Sequence, residues 1–238
     1  MKLVIISTVG ASLIINYARH TMSDPNRFLD SIESMDEQEI EKWIKEIYIY
    51  ITRYIDDYST ASAELSSIFS ILKKMDLSGV EEIELMFIIS DTPQGKLVNG
   101  VLERFFMEYL KEYNGVPIKY YHDVAGGLTY VDVEHVEQGL PNVPILISQW
   151  IRNKMASGCK VILNVTGGFK AECVYAAFVG ILAGIPTYYM HEKFREVVRL
   201  PPIPESLVNV SKEQIGILLH LVEKFYLDLK EKYRTQKG

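Results

Sequence analysis

The chain has 238 residues and a mass of 27.2 kDa, 48% of its residues are hydrophobic by type, and one domain with a substantial core fits, with or without a short appendix. A formal net charge of -6 and a pI near 5.5 exclude the dominant basic face of a protein that grips long nucleic acid, so an anionic ligand has to be met by a local positive pocket. Two cysteines, Cys159 and Cys173, are too few for a disulfide framework, and no run is long and apolar enough to span a membrane, which makes a reducing cytoplasm the expected compartment.

Residues 2–7, KLVIIS, form an apolar run broken at once by Ser7, Thr8, Gly10 and Ser12, which reads as a buried first strand rather than a signal peptide. From residue 39 onward, Ile40, Trp43, Ile44, Ile47, Ile51, Tyr54, Ile55 and Tyr58 recur three or four apart and predict a long amphipathic helix. Leu65, Ile68, Leu72 and Met75 mark a second helix that stops near Gly79. Residues 82–90 read as strand two, SDTPQGK as its turn, 96–113 as a helix, and VPIKYYH as strand three after an Asn-Gly turn. The polar, glycine-bearing stretch 123–140 is expected to be a mobile loop or small hairpin. A helix with Val143, Leu146, Ile147, Trp150, Ile151 and Met155 leads to strand four at CKVILNV. A helix over about 168–184 leads to strand five at IPTYYMH, and REVVRLPPIP supplies an antiparallel edge strand closed by prolines. The tail from 211 to 234 carries Ile215, Leu218, Leu219, Val222, Phe225, Leu229 and Tyr233 on one face.

Strands alternating with helices predict an α/β fold with a mostly parallel sheet, helices on both faces and right-handed crossovers. The expected division is a main domain over 1–204 and a C-terminal amphipathic helix within 205–238.

In such a sheet, ligands bind beyond the carboxyl ends of the strands. Three turns fall there: STVGAS after strand one, with Thr8, Gly10 and Ser12; SDTPQGK after strand two, with Ser90, Asp91, Thr92 and Lys96; and NVTGGFK after strand four, with Thr166, Gly167, Gly168, Phe169 and Lys170. Each would present free backbone N–H groups at a helix start, which suits a phosphate. Gly167 and Gly168 permit close backbone approach to a ligand or make a simple tight turn. Lys170 sits against the helix dipole, which is unfavourable unless an anion lies before it; the alternative is a solvated surface charge. Ser12, Asp91 and Thr92 are equally readable as helix caps. Arg104, on the helix after the second turn, and Tyr130, in the 123–140 segment as a base-stacking lid residue, complete the candidates.

Neither G-x-G-x-x-G nor the P-loop pattern occurs, and the histidines, His20, His122, His135, His191 and His220, are scattered without zinc spacing. No metal or other cofactor is expected.

TVGASL, SDT and NVTGGFKAE together resemble the Rossmann-like CARF domains of CRISPR-associated proteins, and are most similar to stand-alone ring nucleases that degrade cyclic tetra-adenylate, the second messenger of type III CRISPR defence. The resemblance covers roughly residues 1–200, with TGGFKAE its most specific part. It implies metal-independent cleavage of the ring to linear di-adenylate bearing a 2′,3′-cyclic phosphate. It implies too that Lys170 stabilises the reacting phosphate and that Ser12 orients ribose or phosphate. It further implies a homodimer with the ring across its two-fold axis; one pocket of three short turns is small for a cyclic tetranucleotide, and two facing pockets match its symmetry. With no histidine pair, slow turnover is expected. The alternative from another class is a non-catalytic cyclic oligoadenylate sensor. An unrelated Rossmann-like nucleotide enzyme is the third reading.

Overall fold

The computed structural model describes residues 1–128, 133–191, 196–201 and 211–235. Its sheet contains β1 (Lys2–Thr8), β2 (Glu82–Ser90), β3 (Glu112–Tyr113), β4 (Val116–Ala125), β5 (Lys160–Asn164), β6 (Thr187–His191) and β7 (Glu196–Arg199), in the order β3-β4-β2-β1-β5-β6-β7. The five central strands run parallel, with Ile5 opposite both Leu85 and Ile162, while β3 and β7 are antiparallel edges. The expected α/β architecture is therefore the one observed.

The period of two along β1 divides the core. Leu3 and Ile5 face one side with α1 (Ser12–Thr21), α2 (Pro25–Ser31), α3 (Glu37–Tyr54), α4 (Ala63–Lys74) and α5 (Pro93–Arg104). Val4 and Ile6 face the other, with α7 (Asn142–Ala156), α8 (Lys170–Leu182) and α9 (Lys212–Thr235); α6 (Val133–Gly139) precedes α7. With both faces covered, β1 and β2 carry near-continuous apolar runs. The long helix α3 starts in a capping box, Asp36 accepting from the Glu39 amide and Glu39 from the Asp36 amide. The tail helix α9 docks on α7, where Gln149 donates to Glu223 at 2.8 Å and Arg152 pairs with the same carboxylate at 3.0 Å.

Two expectations are corrected. The helix placed over 96–113 begins earlier, at Pro93, and ends at Arg104; a wider turn covers Phe105–Tyr109, and Glu112–Tyr113 is a strand. The cause is local: Asn114 and Gly115 both adopt positive φ, 51° and 78°, which makes a two-residue hairpin turn that requires strand on either side. Within 123–140, β4 continues to Ala125 and α6 is helical; its polar sequence carries no apolar stripe to reveal it. Tyr130 lies outside the described residues. Two short helices, α1 and α2, fill the interval before α3, which the periodicity left unassigned.

Candidate functional site

Because β2, β1 and β5 are adjacent and parallel, their carboxyl ends set the three turns side by side. Between them lies a cleft of about 370 Å³ lined by Val9, Gly10, Ala11, Ser90, Thr92, Gln94, Gly95, Gly168 and Phe169. That is the lower end of the range for small-ligand pockets.

The first and third turns are knitted together. The Thr8 hydroxyl donates to the Gly167 carbonyl, and the Cys173 thiol donates to the same oxygen at 3.2 Å. Burial pushes the Cys173 thiol up to about 11. A Cβ on Gly10 would lie 2.6 Å from the Gly168 amide nitrogen, and one on Gly168, whose φ is 104°, would lie 2.5 Å from Glu172 Oε2. Only glycine permits this approach. Asn164, fully buried, donates to Ser7 and Ser67 and accepts from Thr166 at 2.7 Å; the Thr166 oxygen in turn accepts from the Met190 amide at 3.0 Å. Thr166 thus ties the third turn to β6.

Behind the first turn stands a group that the sequence reading missed. Glu64, the second residue of α4, is fully buried; Oε1 accepts from the Gly10 amide at 2.8 Å and Oε2 from the Ser12 hydroxyl at 2.7 Å. Ser12 Oγ also accepts from the Ala63 amide at 2.9 Å. A Cβ on Gly167 would come within 2.3 Å of Glu64 Oε1, so the carboxylate abuts the diglycine corner as well. The available signal was a charged residue in register with Ile68 and Ile71 on an apolar helix face. Ser12 is not the cap of α1, because Ala11 holds that position.

The second turn behaves as a capped helix start. Thr92 accepts from the Gly95 amide at 3.0 Å and exchanges a hydrogen bond with Ser90 at 2.8 Å. Asp91 accepts from the Gly127 amide at 2.7 Å and fastens this turn to the exit of β4. By contrast, α8 has Phe169 at its N-cap position, a side chain that cannot accept from an amide, and Glu172 closes back onto the Phe169 amide at 3.0 Å. Phe169 is half exposed, and Lys170, the first helical residue, is exposed and makes no hydrogen bond or ion pair among the described residues. Lys96 is exposed on the first turns of α5. Arg104 is not brought to the site: it ends α5, away from the strand tips, and pairs with Glu41 at 2.8 Å. No group of three or more His, Cys, Asp or Glu side chains placed to hold a metal occurs among the described residues, and no helix there is long and apolar enough to cross a membrane.

An open parallel sheet that delivers three helix starts to one edge defines a Rossmann-like α/β protein with its ligand edge at the strand tips. The family model described as CRISPR-associated protein (Cas_APE2256) matches residues 59–203, more than half of the chain, and the chain belongs to this CRISPR-associated family. The matched residues include Glu64, the second turn and the diglycine turn, while the first turn with Ser12 precedes them.

Proposed function

We propose that the protein is a ring nuclease that binds cyclic tetra-adenylate at the strand tips of a homodimer and cleaves it without metal to linear di-adenylate ending in a 2′,3′-cyclic phosphate. The observation that carries the reading is the contrast at the strand tips: tightly fixed backbone loops, an α8 start whose N-cap residue, Phe169, offers no side-chain acceptor, and a Lys170 at that start with no partner among the described residues. A cation at a helix N-terminus is disfavoured by the dipole, and a phosphate before both removes the conflict. In the reaction a ribose 2′-hydroxyl gives its proton to solvent and its oxygen attacks the adjacent phosphorus, the P–O5′ bond breaks, the 5′-oxygen leaves and takes a proton from solvent, and the phosphorane charge is met by Lys170 and loop amides. Membership of a CRISPR-associated family supports a signalling nucleotide as the ligand.

One cleft of about 370 Å³ holds part of such a ring, which supports two clefts facing across a dyad. Val174 and Phe178 continue the Lys170 stripe of α8 at four-residue steps, and Ile217, Leu221 and Phe225 form a similar exposed stripe on α9. These apolar rows are the surfaces we assign to the second copy.

Incubation with cyclic tetra-adenylate in EDTA tests the reading: linear products with a cyclic phosphate end are expected, and an intact ring contradicts cleavage. One observation favours the sensor alternative. Lys230 of α9 donates to Asn142 at 2.6 Å, Asn142 donates to the Gly126 carbonyl, and Gly127 donates to Asp91 at 2.7 Å, so the tail helix is linked by hydrogen bonds to the second turn. A ring that binds and is recovered intact would select it.

A further inference from the structure

Glu64 has no charge partner among the described residues and is fully buried, yet it touches the first turn at two points and the diglycine corner at a third. A buried carboxylate costs free energy unless its hydrogen bonds are satisfied. Here the donors are the Gly10 amide, which lines the cleft, and the Ser12 hydroxyl, which belongs to the same turn but lines a second cavity with Asn16, Thr166 and Met190. The consequence for Ser12 follows from counting. A hydroxyl has one proton and two lone pairs. The proton goes to Glu64 and one lone pair takes the Ala63 amide, leaving a single lone pair for anything else. Held this way, Ser12 can receive a hydrogen bond from a ligand but cannot give one.

We propose that Glu64 is a positioning residue that fixes the polarity of Ser12, making it an acceptor for a ribose hydroxyl rather than a donor to a phosphate oxygen. The proposal rests on the cleavage reading above and adds the basis on which a ribonucleotide ring is preferred over a deoxyribonucleotide one. Glutamine keeps the size of Glu64 but cannot accept at both ends. If its carbonyl takes the Gly10 amide, its NH2 group faces Ser12 Oγ and reverses the hydroxyl. Aspartate keeps the charge and falls one methylene short of spanning Gly10 and Ser12 together.

The test compares wild type, Glu64→Gln and Glu64→Asp in thermal melting and in single-turnover cleavage of cyclic tetra-adenylate in EDTA. It adds binding of the ribose ring and of its all-2′-deoxy analogue, both measured in a Lys170→Ala background to hold turnover down. Glu64→Gln is expected to fold, to slow cleavage roughly tenfold to a hundredfold, and to shrink the preference for the ribose ring over the deoxy ring. A structural prop alone would weaken both rings alike and leave that preference at its wild-type value, which overturns the proposal, as does wild-type cleavage by Glu64→Gln. Failure of both Glu64 variants to fold assigns the carboxylate to the fold and also overturns it. Wild-type protein that leaves the ring intact defeats the cleavage reading itself, at the first step and before any variant is compared.

Discussion

The two ends of the parallel strands are built on opposite electrostatic plans. At the amino end, Lys2 lies between Glu82 at 2.7 Å and Glu84 at 3.0 Å, Lys119 joins Glu82 at 2.9 Å, and Lys154 of α7 meets the buried Glu84. Hydrogen bonds to Glu82 and Glu84 raise the Lys2 ammonium above the usual lysine range, and hydrogen bonds from Lys2 and Lys119 lower Glu82. Charge answers charge there. At the carboxyl end, the buried carboxylate of Glu64 is answered by a backbone amide and a hydroxyl and Glu172 accepts from the Phe169 amide, while Lys170 and Lys96 stand without partners among the described residues. The comparison teaches that one end of the sheet closes its charges on itself, while the other leaves two lysines for the anionic ligand of the proposed function to meet.

The sharpest way to break the comparison is Lys170→Ala. Removing one preorganised charge that meets the transition state commonly costs roughly a hundredfold to a thousandfold in rate. The expected outcome is that loss in single-turnover cleavage with the melting temperature unchanged; near wild-type turnover would take Lys170 out of the mechanism. At the amino end the pattern inverts: Glu84→Ala leaves Lys2 and Lys154 without their buried partner and is expected to cost about 2 kcal/mol in denaturant unfolding, moderated because both lysines can extend toward water. Its cleavage rate per folded molecule is expected to match wild type.

How much of this contrast was legible depended on whether the signal was local. The three turns could be placed together because strand order and parallel direction follow from alternating apolar runs, and the glycines and Lys170 announce themselves within a few residues. Glu64 did not, because it comes from α4, more than fifty residues from the turn it holds, and its partners are a backbone amide and one hydroxyl. Ser12 was found for its type, but only the folded arrangement turns its proton inward. Arg104 was drawn in by sharing a helix with Lys96, although the length of α5 carries it away from the strand tips. The short α6 and the strand at Glu112–Tyr113 lacked periodicity, and the second exists because of the Asn114–Gly115 turn beside it.

Two smaller effects sharpen the account. Cys173 lies behind the diglycine corner with its thiol raised to about 11 by burial. Since the thiolate is the reactive form, iodoacetamide labelling of Cys173 in the folded protein should be slow at pH 8 and accelerate as pH approaches 11, read by peptide mass spectrometry. Fast labelling near neutrality would mean that the corner is open. Smallest of all, Arg104→Ala should cost less than about 1 kcal/mol in stability and nothing in cleavage, since its pair with Glu41 lies partly exposed and away from the site.

The central claim is that the uncancelled edge of one chain meets that of a second around a single anionic ring. Native mass spectrometry of the Lys170→Ala protein with cyclic tetra-adenylate measures this directly. Two chains carrying one intact ring are predicted, and one ring on a single chain, or no bound ring at any accessible concentration, would contradict the account.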